Sequence, residues 1–340
     1  MSKCSLAPRI VVPLLGCFIA SALPLLSAQA TQQSINNNGV AGGARRIEAG
    51  QPTVLIHPTV NAAREAREAA RATGASSTAN KLYYHGGIGG VGVETAPKIY
   101  LVLWGSQWSN DPSGEESILV NFYKGVGGSS WQNSVTQYCQ GVPSGTISCS
   151  GAGTPAGNQS GSFVAAWYDN TSAAPTHPRQ SQLAAEAVRA ANFFGHRTAA
   201  SNASVQYVIA TSHGNSSSGF GSQYCAYHSA TSSSFGNVAY TNLPYITDAG
   251  ASCGANFNNL GAKAGITIVG GHEMAESITD QFPNGGWLDS GGEENGDKCA
   301  WISSGQGASA KITLSTGTFP VQSLWSNAFN GGAGGCVLSY

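Results

Sequence analysis

Two continuous apolar segments stand out from the mixed hydrophobic and polar pattern of the chain. Residues Lys98–Trp104 (KIYLVLW) and Val205–Thr211 (VQYVIAT) have the length of a strand and hardly any polar positions. This pattern is typical of strands that are buried on both faces, as in a sheet with helices on each side. The two segments therefore predict two central strands of one sheet.

Helical periodicity is clearest in residues 180–194 (QSQLAAEAVRAANFF). In that segment Leu183, Ala187, Ala190 and Phe194 recur at the spacing of one helix face. A shorter helix is predicted over Glu115–Tyr123, and another over Asn259–Ile278, which carries the acidic motif described below. These helices would cover the predicted sheet.

The C-terminal part has a different pattern. After Ala300, short alternating stretches at 310–314 and 319–324 predict a small β-rich region. The whole pattern predicts an α+β fold, with a mixed central sheet flanked by helices and a single domain over residues 82–340.

The N-terminal residues predict export of the chain. Lys3 and Arg9 precede an apolar run over residues 10–26, and Ala28-Gln29-Ala30 resembles a cleavage site. Residues 1–30 are therefore predicted to be a secretory signal peptide, and the mature protein to be secreted and extracellular. Residues 31–81 are predicted to be a pro-segment or a disordered linker. They include an alanine-rich helix over residues 61–73 with charges on most of its faces.

Six cysteines remain after removal of the signal peptide. An even number in an exported chain predicts three disulfides. Fifteen pairings are possible, and the sequential pairing closes the shortest loops. It joins Cys139 to Cys149, Cys225 to Cys253, and Cys299 to Cys336.

The charge of the chain limits its partners. Charged residues make up 10% of the 340 residues, and the net charge is −1. No basic surface is expected, which argues against nucleic acid and, after signal cleavage, against a membrane. The expected partner is a protein or peptide substrate, or a cell-wall polymer, and the expected state is a monomer.

The chemistry of the chain is concentrated in residues 270–280 (GGHEMAESITD). His272 and Glu276 are four residues apart, so on a helix they share one face and could bind one ion. Glu273 lies about 100° away around the helix axis and could act as a general base on water. The motif has the geometry of the zinc-peptidase helix H-E-x-x-H, with a glutamate in place of the second histidine.

A second acidic group follows in the loop Glu293–Asp297. A catalytic zinc ion needs about three protein ligands and an open position for water. Glu294 is therefore predicted to be the third ligand beside His272 and Glu276. Asp297 would bind the ion or orient His272.

Several alternatives remain open for this group. His213 or His228 could supply the missing imidazole, and Asp280 is a further candidate. The ion could be Ca²⁺ in a purely structural site, because the predicted ligand set is rich in oxygen. Glu273 and Glu276 could also be read as a glycosidase pair, although such pairs usually face each other across a cleft.

Residues around this motif resemble a known family. Trp287, the Glu294-x-x-Asp297-x-Cys299 signature and the tail Val321-Gln322-x-x-Trp325…Cys336 are similar to the exordium/phosphate-induced proteins, which are extracellular. Weaker matches extend the resemblance over most of residues 83–340. They are Tyr84-His85-Gly86-Gly87, Trp104-Gly105 and Tyr224-Cys225-Ala226-Tyr227-His228. Asn295 departs from the family, because relatives commonly have an apolar residue there.

The resemblance implies secretion and an extracellular or cell-wall setting, but it does not imply a particular reaction. The motif helix separately resembles that of the zincin peptidases. The sequence thus predicts a secreted, zinc-dependent endopeptidase. The alternative is a non-enzymatic, exordium-like extracellular protein with a structural metal site.

Overall fold

Strands and helices are interspersed along the chain from residue 42 onward. The structure is a computed structural model that describes residues 42–72 and 81–340. The predicted signal peptide, residues 1–30, lies outside the described residues. The strands are β1 (Gly43–Arg45), β2 (Val54–Pro58), β3 (Tyr83–Tyr84), β4 (Lys98–Trp104), β5 (Cys139–Gln140), β6 (Thr154–Pro155), β7 (Phe163–Asp169), β8 (Val205–Thr211), β9 (Tyr224–Ser233), β10 (Gly236–Leu243), β11 (Trp287–Leu288), β12 (Ala310–Leu314), β13 (Gly317–Val321), β14 (Leu324–Ser326) and β15 (Gly335–Val337). The α-helices are α1 (Val60–Ala72), α2 (Glu115–Val126), α3 (Gln180–Phe193), α4 (Ala199–Asn202), α5 (Ala264–Thr279) and α6 (Phe329–Gly332).

Seven strands form the central sheet in the order β1-β2-β9-β10-β8-β4-β7. The four strands from β10 to β7 run parallel to one another, whereas the pairs β1–β2, β2–β9 and β9–β10 are antiparallel. The sheet is therefore mixed, as predicted. The two apolar segments of the sequence are β4 and β8, which pair with each other and are each flanked by strands on both sides, β4 next to the edge strand β7.

Helices cover both faces of this sheet. On one face, Leu183 of α3 packs in a cluster with Val102 and Ile209. On the other, Ile268 of α5 packs in a cluster with Leu101. Successive side chains of a strand point to opposite faces, which is why neighbouring residues of β4 belong to different clusters. The α+β prediction is confirmed.

Helix α5 is buried along its whole length. It lies between the sheet, α2 and the hairpin β12–β13, which belongs to the small β-rich C-terminal part. Gly271 permits this packing, since a Cβ atom there would approach the rings of Phe122 and Trp131 to 3.0 and 3.2 Å. The helix begins five residues later than predicted, because Asn259 and Gly261 have left-handed backbone conformations that a right-handed helix cannot include.

The folded body begins before the predicted boundary at residue 82. Strands β1 and β2 belong to the central sheet, so the linker interpretation is wrong for these residues. Val54 and Ile56 are buried in the same cluster as α3, which offsets the entropy of ordering the segment. Removal of residues 31–81 on maturation stays a prediction.

Three disulfides have the sequential pairing predicted from the sequence. Next to the first of them, Cys139–Gln140 pairs with Thr154–Pro155, beyond the loop that the disulfide closes. None of the helices in residues 42–72 and 81–340 has the length and apolar character needed to cross a membrane. The disulfides are compatible with an oxidising compartment.

Candidate metal centre

Helix α5 presents three chemically active side chains toward β9 and the acidic loop. His272 and Glu276 share one helix face, and His272 Nε2 lies 2.9 Å from Glu276 Oε2. The helix ends where Asp280 accepts hydrogen bonds from the backbone amides of Asn284, Gly285 and Gly286. Asp280 therefore stabilises a turn, and the structure does not place it among the possible metal ligands around His272 and Glu276.

The acidic loop after β11 is docked onto α5 by neutral and charged contacts. Asn295 Nδ2 donates to Ala275 O and to Thr279 Oγ1 at 3.2 and 2.7 Å. Within the loop, Lys298 Nζ forms an ion pair with Asp289 at 2.6 Å. These contacts hold Glu294 and Asp297 against the helix. Asn295, at which the chain departs from the family it resembles, is thus one of the residues that fasten the loop to α5.

Asp297 lies at the border of the site. Its backbone amide donates to Glu276 Oε1 at 2.9 Å, and its Oδ1 lies 3.8 Å from His272 Nε2. Gly296 permits this close approach, because a Cβ atom there would lie only 2.6 Å from His272 Nδ1. Asp297 is thus placed to bind an ion as an outer carboxylate.

The second imidazole comes from β9. His228 Nε2 lies 2.7 Å from Glu294 Oε2 and 3.8 Å from Glu276 Oε2. Of the two histidines considered from the sequence, only His228 joins the group. His213 instead lies 2.6 Å from Asp248 on a half-exposed loop.

Gln322 fixes the orientation of the His272 ring. Its Nε2 donates to the carbonyls of Gly296 and Ser323, so its Oε1 is left to accept from His272 Nδ1 at 3.2 Å. With the proton on Nδ1, the lone pair of Nε2 faces Glu276. The expectation that Asp297 orients this ring is wrong, because Asp297 lies on the Nε2 side.

Four possible metal ligands from three parts of the chain are linked to one another through Glu276 Oε2 and His228 Nε2. Around a tetrahedral zinc ion, ligand atoms are separated by about 3.3 Å. The observed separations of 2.7, 2.9 and 3.8 Å bracket this value. Glu276 shares one group of possible ligands with His228 and another with His272, each with its atoms within 4.8 Å of one another, and Glu294 lies beside His228. These four residues are the candidate ligands. Two imidazoles among them favour Zn²⁺ or another transition metal over Ca²⁺, which prefers oxygen ligands alone.

Burial leaves these donors without adequate protein partners. His272 Nε2, Glu276 Oε2, Glu294 Oε1 and Asp297 Oδ1 have no hydrogen-bond partner among the described residues. Burial raises the pKa of all three carboxyl groups well above their usual range. It lowers the pKa of His272 to about 4, so this imidazole is neutral and able to bind a metal. A divalent cation would offset the cost of burying these groups.

Glu273 belongs to two groups of possible ligands and lies beside the candidate ligands named above. Burial first, and then the charges of Glu276 and Asp297, raise its pKa well above the usual range. Neither of its oxygens has a well-aligned hydrogen-bond partner in residues 42–72 and 81–340; the backbone amide of His57 is a nearby donor that opposes the rise. Glu273 can approach His228 and Glu276 with atoms within 4.8 Å of each other. This is a suitable position for a general base.

A third imidazole, that of His57 on β2, was not predicted. Its ring stacks on His272 with centroids 3.9 Å apart and an interplanar angle of 21°. The two rings cannot share one ion, since a ligand nitrogen must point at the ion in the plane of its ring. Trp301 also stacks on the His57 ring, at 4.9 Å. No pattern in the sequence marks His57, because its role depends on strand pairing with β9.

The cluster is closed to solvent in this form of the chain. Its seven side chains are no more than 6% exposed; they are His57, His228, His272, Glu273, Glu276, Glu294 and Asp297. Residue 42 lies directly against Asp297, where a Cβ atom would clash with the carboxylate. The closure therefore involves the N-terminal segment as well as the core.

Comparison of the chain with protein-family models, with curated proteins and with solved structures found no match. The chemistry of the site is therefore the basis on which a function can be proposed.

Proposed function

We propose that this protein is a secreted metalloendopeptidase that hydrolyses peptide bonds. The observation that carries the proposal is a buried set of possible ligands that meets at Glu276, which lies close to both His228 and His272, with Glu294 beside His228 and Glu273 within reach. The helix motif is similar to that of the zincins, but here a β-strand, rather than the helix, would supply the second imidazole. Zn²⁺ is the proposed ion.

The proposed reaction divides the work between the cation and Glu273. A bound divalent cation would polarise the peptide carbonyl and lower the pKa of a neighbouring water molecule. Glu273 takes one proton from that water as its oxygen bonds to the carbonyl carbon. Glu273 then returns the proton to the amide nitrogen, the C–N bond breaks, and the products are a carboxylic acid and an amine.

The other residues hold this geometry. Gln322 keeps the proton of His272 on Nδ1, so that Nε2 stays available. The loop that carries Glu294 is fastened at Cys299 by its disulfide to Cys336 and at Asn295 by α5. Fixed ligands lose little entropy on binding, which favours a tightly held cation.

The predicted export and the resemblance to exordium-like proteins support an extracellular or cell-wall setting. A protein or peptide is the proposed substrate. The second candidate function is a non-enzymatic extracellular protein with a structural cation. The specific observation in its favour is the closure of the cluster, since structural metal sites lack an open position.

The test combines metal analysis with hydrolysis. We expect about one zinc ion per chain by elemental analysis, both in the natural sequence and in Glu273→Gln. The rate of casein hydrolysis is measured for the intact chain and for a chain cleaved between residues 76 and 77. In Glu273→Gln the rate should be about 10²–10⁴-fold lower than in the natural sequence. Bound metal with no hydrolysis in any preparation would leave only the structural candidate. If the purified chain binds no metal, both candidate functions are wrong.

A further inference from the structure

The N-terminal segment from residue 42 to residue 72 covers the candidate metal centre. Its strand β2 pairs antiparallel with β9, with Leu55 opposite the metal-binding candidate His228 and His57 opposite Ala226. Because alternate residues share a face, Leu55 and His57 both point toward α5. The segment thus places two side chains against the cluster.

His57 lies beside His272 and Glu273. One of its ring nitrogens, a ring nitrogen of His272 and a carboxylate oxygen of Glu273 lie within 4.8 Å of one another. Both ring nitrogens of His57 lack a hydrogen-bond partner among the described residues, although the side chain is fully buried. An unpaired buried polar group is costly. The cost is understandable if the ring occupies space that a substrate would otherwise fill.

Strand β9 would be an edge of the central sheet without this segment. Only β1 lies beyond β2, and β1 has just three residues. An exposed strand edge offers unpaired amides and carbonyls that an extended peptide can match. The backbone of β2 therefore has the position and conformation that a peptide bound along β9 would take, directly beside His228.

Outside the sheet, the segment contacts the body through Glu48 and Pro52, which accept hydrogen bonds from Gln180, and through α1. Arg67 of α1 donates to the carbonyls of Ala300 and Trp301 at 2.6 and 3.0 Å, and Trp301 Nε1 donates to Pro58 O at 2.7 Å. Eight of the chain's charged residues lie in this segment, and its helix exposes most of its surface. These features are compatible with a segment that can separate from the body.

We infer that β9 is the strand that binds the peptide substrate, in extended antiparallel form, and that residues 43–58 occupy this position as an internal inhibitor. The inference rests on the proposed function and adds to it the mode of substrate binding and a latent state. The ligand class is an unstructured polypeptide. His57 blocks the approach of a peptide carbonyl to the space between the metal donors and Glu273.

The first experiment separates the segment from the body after folding. A recognition site for a specific protease is inserted between Ser76 and Ser77, and the full chain is folded with zinc before it is cut. We expect cutting to increase casein hydrolysis at least about tenfold, equivalent to about 1.4 kcal/mol of blocked binding. If hydrolysis is equal before and after cutting, the proposed peptidase activity stands, but the inference that residues 43–58 inhibit it is wrong.

In the second experiment, a synthetic peptide of residues 43–58 is added to the cut chain. A fluorescent form should bind to the cut chain and inhibit its hydrolysis, and a His57→Ala peptide should bind about tenfold more weakly. An Arg46→Ala peptide, changed outside the paired strands, is the matched control. Binding of the peptide without any hydrolysis would remove the enzyme but keep β9 as a peptide-binding strand. A cut chain that does not bind the peptide would overturn the inference.

The third experiment leaves the chain intact. Arg67→Ala removes the two hydrogen bonds to Ala300 and Trp301, whereas Arg64→Ala changes an exposed arginine of the same helix. Hydrogen exchange should become faster in β9 for Arg67→Ala alone, because its amides lose the cover of β2 more often. If both variants leave β9 equally protected, α1 does not hold the segment closed.

Discussion

Two groups of buried acidic side chains lie against opposite faces of the central sheet. On the α3 face, Asp169 and Glu186 share the guanidinium of Arg189, whose Nε lies 2.7 Å from Asp169 Oδ2. On the α5 face, four carboxyl groups surround two imidazoles, and burial lowers the pKa of both imidazoles. They are those of Glu273, Glu276, Glu294 and Asp297. The chain thus supplies a cation for one group and not for the other.

This difference indicates why acidic residues alone do not define a metal site. The pair on the α3 face has its own arginine, and Thr171 also donates to Asp169 through both its hydroxyl and its amide. The group on the α5 face leaves several oxygens unpaired and faces two neutral nitrogens. The proposal of an external cation rests on these unpaired oxygens and neutral nitrogens.

The largest effect expected from this comparison concerns Glu276. Glu276→Ala removes an oxygen that faces both imidazoles, and the variant should lose the metal and about 3–5 kcal/mol of unfolding free energy. In calorimetry, a chelator should lower the melting temperature of the natural chain but not that of Glu276→Ala. Glu186→Gln, on the other face, is the matched control and should keep its response to chelator. A chelator response that survives in Glu276→Ala would place the metal elsewhere.

The next effect compares two histidines. His228→Ala should weaken zinc binding at least about 100-fold, because a direct ligand contributes more than an outer-shell partner. His213→Ala should leave zinc affinity unchanged, since His213 pairs with Asp248 on an exposed loop. Competition with a zinc-binding dye measures both. Equal losses in the two variants would contradict the assignment of His228.

A smaller effect is expected for the residue that orients His272. Gln322→Ala removes the acceptor of the Nδ1 proton, and zinc affinity should fall about 10–100-fold. The melting temperature should fall more with zinc than with chelator, because the effect acts through the metal. Gln306→Ala, an exposed glutamine change, is the control. A loss of melting temperature that is the same in both conditions would indicate a purely structural role for Gln322.

The smallest effect concerns the carboxyl pair on the α3 face. Burial, and then the hydrogen bond with Asp169, raise the pKa of Glu186 to about 8. The folded state then binds its proton more tightly than the unfolded state. This contribution to stability is present at acidic pH and is lost as the pH rises toward 8. The glutamine in Glu186→Gln cannot ionise. The free energy of unfolding should therefore fall less in this variant than in the natural chain when the pH is raised from 5 to 8, by about 1–2 kcal/mol.

Urea unfolding at the two pH values measures this difference, with the exposed change Glu68→Gln as control. Other buried acids, including Glu115 and Glu293 with pKa values raised to about 7, act in the same direction in every variant. The comparison between variants is therefore the informative quantity. Identical pH slopes for Glu186→Gln and the natural chain would show that Arg189 keeps Glu186 ionised.

The local sequence predicted the elements with strong patterns. Strands β4 and β8 and helices α2, α3 and α5 were found because their apolar positions are continuous or periodic. Strands β9 and β10 were missed. They contain residues such as Ser229, Thr231 and Asn242, which alone are typical of loops, and these strands are stabilised by their neighbours in the sheet.

The sequence by itself also determined the acidic half of the site. His272, Glu273 and Glu276 are spaced by the helix, and Glu294 and Asp297 follow in a loop that a disulfide fastens. Local spacing is enough for such groups, because the geometry of a helix and the length of a short loop limit where the side chains can lie.

Only the tertiary structure decided which imidazoles complete the group. His228 and His57 are 171 residues apart, yet pairing of β2 with β9 brings both to the same helix. Gln322 reaches His272 from a different part of the fold. The strand register is set by long-range hydrogen bonds and by burial on both faces of the sheet. Neither can be predicted from the sequence of a single segment. The same pairing closes the centre, so the state of the site depends on a segment that its motif does not include.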